Sequence, residues 1–575
     1  MALLALASPA AQAIPSIQAP NGVVNASSEL PDIAQGSWFV IFGTGLGPTT
    51  ISVQNGMPYQ QQLSKTSVAF APQAGGPPIN AWMYYTLSTQ VAGMIPSSTP
   101  TGAYNVTVTY NGETSSPVTV NVVAHNFGFA TQTSNGQGPA QATYGGYNLN
   151  RFTSGNIDQW SIRPAQPGDT MVLWGTGLGP DPASDTAGGS SGDQTVSAQV
   201  SVIVQGIPVT PAYAGRSSGS PGLDQINFTV PSNVTPSCFV SLQVSAGGRI
   251  SNFGSIAVAT AGQTACTSPV LTEAQLHTLD LGGTLTAGVI QLGQGNATFL
   301  DTFDVTESSR TDMVAGWFGT YRVDELANSN LAVLQPGACF LMQRAGTSDA
   351  LGFGSPPAGT LDAGAQLTLS GPNASGTAIP LTTVDTYLGQ TTEAYLEELY
   401  SSGLDGSGAL GSPTLTAGTY SVAGTGGADV GAFSSSVTLP GDFAWTNQSS
   451  IPNPIPRSTP LTVTWRGNEG GSVVVLGGDL TRLGGSGSST TFSVYGFVCT
   501  AEASAGALTV PANILRQVTA VGANAKNPTF GMLFVIAAPA VGNGQTGFTV
   551  PLSAGGTIQV ALGYEVAFDT TIGYN

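Results

Sequence analysis

The stretch Phe42-Gly43-Thr44-Gly45-Leu46-Gly47-Pro48 returns almost unchanged as Trp174-Gly175-Thr176-Gly177-Leu178-Gly179-Pro180. Alternating glycines closed by a proline can continue neither a helix nor a strand. Each copy follows an apolar run, Trp38-Phe39-Val40-Ile41 or Met171-Val172-Leu173. The repeat therefore marks a buried strand that ends in a tight turn, and Gly43, Gly45, Gly47, Pro48, Gly175, Gly177, Gly179 and Pro180 are its structural residues. A dinucleotide-binding loop would place a third glycine where Pro48 and Pro180 stand, and would open a helix whose N-terminus meets the pyrophosphate. Neither copy does so, and no nucleotide cofactor is expected.

The duplication extends beyond the turn. Gln90-Val91-Ala92-Gly93-Met94-Ile95-Pro96 matches Gln225-Ile226-Asn227-Phe228-Thr229-Val230-Pro231, and a closing hairpin follows each. In the first copy, alternating residues flank Asn111-Gly112, which predicts a hairpin with a type I′ turn. Short strands at this spacing predict two immunoglobulin-like β-sandwiches, residues 14–124 and 125–262. The order of strand, Gly-Thr-Gly-Leu-Gly-Pro, Gln-Ile/Val-x-x-x-x-Pro and hairpin resembles the tandem Ig-like modules of large uncharacterised secreted proteins of acidobacterial type. Those modules are similar in layout to TIG-type domains. The second copy matches better than the first, which has Gly93 and Met94 in place of Phe228 and Thr229. The resemblance covers about Gly36 to Ala259; it implies fold and export, and carries no catalytic residue.

Beyond residue 262 the module does not recur. Strand-like runs continue, and the fold class expected for the whole chain is all-β: the tandem sandwiches followed by one or two further β-rich domains. The expected division is a domain at 263–436 and a C-terminal sandwich at 437–575. One short helix is predicted at 391–402, from Thr391-Thr392 as caps, Glu393 in the first turn, the apolar set Tyr395, Leu396, Leu399 and Tyr400, and Gly403 past the end.

Composition narrows the function. The 13 basic against 31 acidic residues give a net charge of -18, which opposes phosphate backbones and anionic membrane surfaces. No nucleic-acid partner and no membrane span are expected. Residues 1–13 read as the back end of a signal peptide, apolar and closing on Ala11-Gln12-Ala13, so a secreted or cell-surface protein is expected. In an oxidising compartment Cys238, Cys266, Cys339 and Cys499 would form two disulfides. Three pairings are open; Cys238 with Cys266 and Cys339 with Cys499 keeps each bridge within one half of the chain.

No catalytic constellation emerges. The two histidines, His125 and His277, lack an adjoining nucleophile motif. Acids at Asp301, Asp304, Glu307 and Asp312 could supply the pair a glycoside hydrolase needs. Asp181, Asp185, Asp193 and Asp405 lie in loops where oxygen ligands could hold calcium, without the spacing of a defined calcium loop. Trp82-Met83-Tyr84-Tyr85 and the Trp445 to Trp465 region are the places for a sugar-stacking surface. The leading expectation is a non-catalytic structural or adhesive surface protein whose partners are its own copies or other surface proteins. Its arm, Ile14 to Val24, could add a strand to a neighbour and build a filament. The alternatives are a carbohydrate-binding secreted protein with glycans as partners and, third, a glycoside hydrolase.

Overall fold

The computed structural model describes residues 14–18, 22–144, 148–183, 185, 196, 198–268, 271–300, 306–327, 336–337, 339–347, 359–385, 391–402, 412–484, 491–525, 527–539 and 546–575. Residues 1–13, Asp193 and Asp405 lie outside them, and with them the expectations placed there.

In the first module, Trp38–Thr44 pairs with Gln90–Met94, which pairs with Trp82–Thr86 and then Ser52–Val53. A second sheet is built on Gly102–Tyr110, flanked by Val118–Val123 and Thr66–Pro72. Phe39, Ile41, Met83 and Val91 of one sheet meet Val68, Phe70, Val106 and Val108 of the other with no solvent exposure. Strand residues of alternating polarity thus close a sandwich around one core. Asn111 and Gly112 both take positive φ, 52° and 93°, at the predicted hairpin turn. The second module repeats the plan: Thr170–Thr176 pairs with Asp224–Thr229, and Met171, Leu173, Ile226 and Phe228 face Val202, Val240, Leu242 and Val244.

The glycine turns have a mechanical role. A Cβ on Gly43 would lie 2.0 Å from the Ser16 carbonyl oxygen, and one on Gly175 would lie 2.1 Å from that of Gly128. In each module the first strand crosses there, Ser16–Ile17 and Gly128–Phe129 respectively, so only glycine admits the pairing. The arm expected to join a neighbour is therefore engaged at home: Ser16–Ile17 and Val23–Asn25 both pair with Trp38–Thr44. The second turn also meets an anion, but an internal one. Leu178 donates its N–H to the Asp224 carboxylate at 2.7 Å, and Arg216 binds Asp224 at 2.5 Å with both side chains fully buried. Arg216 also donates to the Gly179 carbonyl at 2.9 Å. In the first module the corresponding Leu46 N–H donates to the Ser88 carbonyl instead, at 2.9 Å.

The C-terminal region departs from the predicted division. Leu285–Leu300 pairs in parallel with Thr557–Thr571, from Ala287 opposite Gln559 to Thr298 opposite Thr570. One 14-stranded sheet thus spans the 436/437 boundary. Its inner face packs into a single core with Leu367, Tyr420, Val422, Val473, Phe497 and Val560. The predicted helix is a strand, Thr391–Ser401, between Thr306–Tyr321 and Ala374–Asp385. Both its faces are covered: Tyr395 and Leu399 enter the main core, while Ala394 and Leu396 join a second one. A strand buried on both sides loses the alternation that would reveal it, and its apolar spacing then mimics a helical stripe.

Cys238 is bonded to Cys266 and Cys339 to Cys499. The first bridge lies in the second core, where Phe152 and Phe239 of the second module meet Leu276 and Leu279 of the Glu273–Asp280 helix and Val289 and Trp317 of the large sheet. The second module and the C-terminal domain therefore share apolar core.

Removing one partner of the buried Arg216–Asp224 pair leaves a charge without compensation. Arg216→Leu should lower unfolding stability by about 3–5 kcal/mol in denaturant titration, whereas Arg163→Leu, at a partly exposed pair with Asp169, should cost about 1 kcal/mol or less.

Candidate functional site: an aromatic face on the first module

The outer face of the Trp38–Thr44, Gln90–Met94, Trp82–Thr86 sheet carries a group of aromatic side chains. Trp38 meets Tyr59 at 5.4 Å and Tyr84 at 5.0 Å between ring centroids, Tyr59 lies 6.0 Å from Tyr84, and Tyr85 lies 5.9 Å from Tyr84. A β-bulge produces this arrangement. Met83 is opposite Gly93 and Tyr85 is opposite Ala92, so Tyr84 is the extra residue. Met83 points into the core, and the bulge then turns both Tyr84 and Tyr85 outward before Thr86 returns inside.

The second module fixes the tryptophan. The Trp38 N–H donates to Thr176 Oγ1 at 2.9 Å and its indole N–H to the Pro221 carbonyl at 2.8 Å. Thr176 in turn donates to the Gly222 carbonyl at 2.6 Å, and Gly222, at φ +70°, lies against the ring. Asn25 completes the junction by donating to the Asn126 and Thr176 carbonyls at 2.9 and 3.2 Å.

The face is open to solvent. Tyr84 is 39% exposed, and beside it run Ile51, Val53 and Met57 at 54%, 43% and 46%. Val53 pairs with Tyr85, and Gln54 N–H donates to the Tyr84 carbonyl, which places this segment against the rings. These four are most of the large apolar side chains this exposed among the described residues; the others are Ile14 and Leu281. Such concentration marks a contact surface. One carboxylate accompanies it: burial raises Glu29 to about 7, and the Glu29 charge, after burial itself, helps push the Tyr85 phenol up to about 12.

The sequence-level candidates separate clearly. Tyr84 and Tyr85 belong to this face, Met83 is core, and Trp82 is half-buried in the same strand. Trp445 and Trp465 face each other across paired strands and are buried in the C-terminal core, so that region offers no stacking surface. Trp38, Tyr59 and Glu29 were not singled out in the sequence. They are scattered along the chain, and only the pairing and the bulge bring them together.

Of the acidic candidates, Asp181, Asp185 and Asp312 lie among the described residues. Asp312 is buried and accepts from Arg310 Nε at 2.9 Å and from the N–H groups of Thr414 and Leu415 at 2.8 Å each. Asp301, Asp304 and the Glu307 side chain lie outside the described residues. Asp185 accepts from the Ser97 N–H and hydroxyl at 2.8 and 2.7 Å, tying the two modules together. His125 shares a 2.7 Å hydrogen bond with the Leu178 carbonyl. His277 meets the Thr153 hydroxyl at 3.0 Å, and that hydroxyl donates to Asp280 at 2.7 Å. The threonine, not the histidine, sits in the middle, which docks the Glu273–Asp280 helix and is not a nucleophile–base relay.

No family model matches this chain, and no curated protein does. Among solved structures, it is similar at 12% identity to SGBP-B of the Bacteroides ovatus mixed-linkage glucan utilization locus, in complex with a heptasaccharide; the match covers 84% of this chain and 98% of that one, with a TM-score of 0.12. SGBP-B from a Bacteroides uniformis xyloglucan utilization locus matches at 10% identity over 67% and 86%, with a TM-score of 0.16. The FN1-FN3 domains of chicken CNTN1 match at 10% identity over 74% and 98%, with a TM-score of 0.12. Scores this low establish no common fold.

A carboxyl whose folded pKa exceeds its unfolded value favours folding most below the unfolded value, and that contribution is lost as pH rises through the folded one. For Glu29 the window runs from its ordinary 4.5 to about 7. Melting temperature should therefore fall between pH 5 and pH 8, and Glu29→Gln should remove about 1–2 kcal/mol of that pH dependence, measured by calorimetry across the range.

Proposed function

We propose that this is a non-catalytic, exported glycan-binding protein, and that the Trp38, Tyr59, Tyr84 and Tyr85 face is its binding platform. The observation that carries the reading is a group of four aromatic side chains at a module junction, with Tyr84 exposed, the other three half-buried, and Trp38 held by two hydrogen bonds to the second module. Aromatic rings present flat apolar faces, and the C–H-bearing face of a pyranose stacks on them while its hydroxyls remain free for hydrogen bonds. Rings fixed in advance lose little side-chain freedom when a ligand arrives, so more of the contact energy appears as affinity. The indole N–H of Trp38 already has its partner, which leaves the ring as a stacking element.

The fringe of Ile51, Val53 and Met57 lengthens the surface along the sheet edge, which suits a chain of several sugar units better than a single one. Two disulfides and an acidic balance of charge are consistent with export. Filament assembly by strand addition is not part of this proposal, because the arm it would require is paired within its own module.

Tyr84→Ala removes the most exposed ring and leaves the core untouched. It should weaken binding to a polysaccharide retained by the wild-type protein by about tenfold or more in affinity electrophoresis, with an unchanged melting temperature. Wild-type protein that is retained by no polysaccharide would remove the proposal.

A further inference from the structure

Resting on the glycan-binding reading, we infer that the aromatic face takes single, solvated, neutral polysaccharide chains that turn between successive sugar units, and rejects the flat faces of crystalline polysaccharides. This follows from the angles between its rings. Trp38 and Tyr59 are inclined at 78°, Trp38 and Tyr84 at 62°, Tyr59 and Tyr84 at 81°, and Tyr84 and Tyr85 at 59°. Tyr84 is the most exposed of the four, and each of the three rings around it stands steeply to it.

Two features set these angles. In a regular strand only alternate residues share a face; the bulge at Tyr84 puts two adjacent tyrosines on the same face, where their rings diverge. Trp38 is held from the second module, with its indole N–H on the Pro221 carbonyl and Gly222 against its ring, so its plane is set from outside the sheet.

Stacking rewards parallel planes, because dispersion contact decays steeply with separation and a strongly tilted ring meets a flat surface only by an edge. A crystalline face holds its pyranose rings in one plane, so it can lie parallel to one of two such neighbours and never to both. A free chain rotates about its glycosidic bonds, and its successive units can meet rings of different inclination. The rest of the sheet gives a flat surface no second foothold: Val24, Val40 and Ala92 lie opposite one another in register and are buried among Ala26, Phe42 and Tyr85.

The polar fringe fits the same ligand. Residues 51–64, which run past the rings, hold no Asp, Glu, Lys or Arg, and Asn55, Gln60, Gln61 and Gln62 are exposed among them. Gln60 stands against the bulge: its carbonyl accepts from the Met83 N–H at 2.8 Å, and its side-chain nitrogen donates to the Pro58 carbonyl at 3.2 Å. Side-chain amides both donate and accept, which matches the hydroxyls of a solvated chain. In a crystal those hydroxyls are already bonded to neighbouring chains.

The test uses the full chain, by affinity electrophoresis in mixed-linkage β-glucan, galactomannan, hydroxyethyl cellulose and glycol chitin, and by depletion onto microcrystalline cellulose and crystalline chitin. Wild-type protein should bind the best soluble polymer about tenfold or more tightly than either crystal. Tyr84→Ala should weaken that soluble binding about tenfold and Tyr59→Ala about threefold or more, while Tyr84→Phe, which keeps the ring, should preserve it. A crystal bound within about tenfold of the best soluble polymer, with Tyr84→Ala weakening both, would overturn the selection of turning chains and leave the platform standing. Tyr59→Ala protein that is folded by its melting curve and binds soluble polymer like the wild type would also overturn it, since one ring would then suffice. Wild-type protein that binds neither soluble nor crystalline polymers would overturn the platform itself, and the selection with it.

Discussion

The buried pair of Arg216 and Asp224 sits at the root of a chain of contacts that ends at the aromatic face. Asp224 accepts from the glycine turn at Leu178, and Arg216 holds the turn from its far side at Gly179. The turn so fixed presents Thr176, whose hydroxyl accepts from Trp38 and donates to Gly222, and whose carbonyl accepts from Asn25. Burial pushes the Asp224 carboxyl up, to about 6, against the opposing pull of Arg216 and of the Leu178 and Gly177 N–H groups. In this low-dielectric setting each group is costly alone and stable only with its partner. The order of the junction therefore depends on both being present.

This arrangement also explains how two copies of one turn diverged. The first copy closes on a backbone carbonyl and needs no charge; the second closes on a carboxylate, which requires a cation beneath it. Arg216 lies close to the first module as well, 3.2 Å from the point a Cβ on Gly36 would occupy. The duplicated motif has become two different things, a plain corner in one module and a joint in the other.

Much of the first half is legible in the sequence, because its signals are local. Gly43 and Gly175 mark strand ends by a backbone requirement that no other residue meets, and Asn111-Gly112 marks its hairpin in the same way. The Glu273–Asp280 helix was not predicted, although Thr272 and Gln275 form a capping box, a signal of three-residue spacing present in the sequence. At Thr391–Ser401 local signals misled, since burial on both faces erased the alternation. The aromatic face was half visible, as Tyr84 and Tyr85 stand together in the chain. Trp38 and Tyr59 reach them through sheet pairing and a bulge, neither of which leaves a local pattern.

The parallel pairing of Leu285–Leu300 with Thr557–Thr571 places a late strand in the middle of the large sheet, between Leu285–Leu300 and Thr529–Ala538. Long-range parallel pairing is slow to form, because a large loop must close before any contact rewards it. A nascent chain emerging from its N-terminus can complete the two small modules early, yet the large sheet has no centre until its late strand arrives. Until then its long apolar strands expose unpaired edges, the state most open to aggregation.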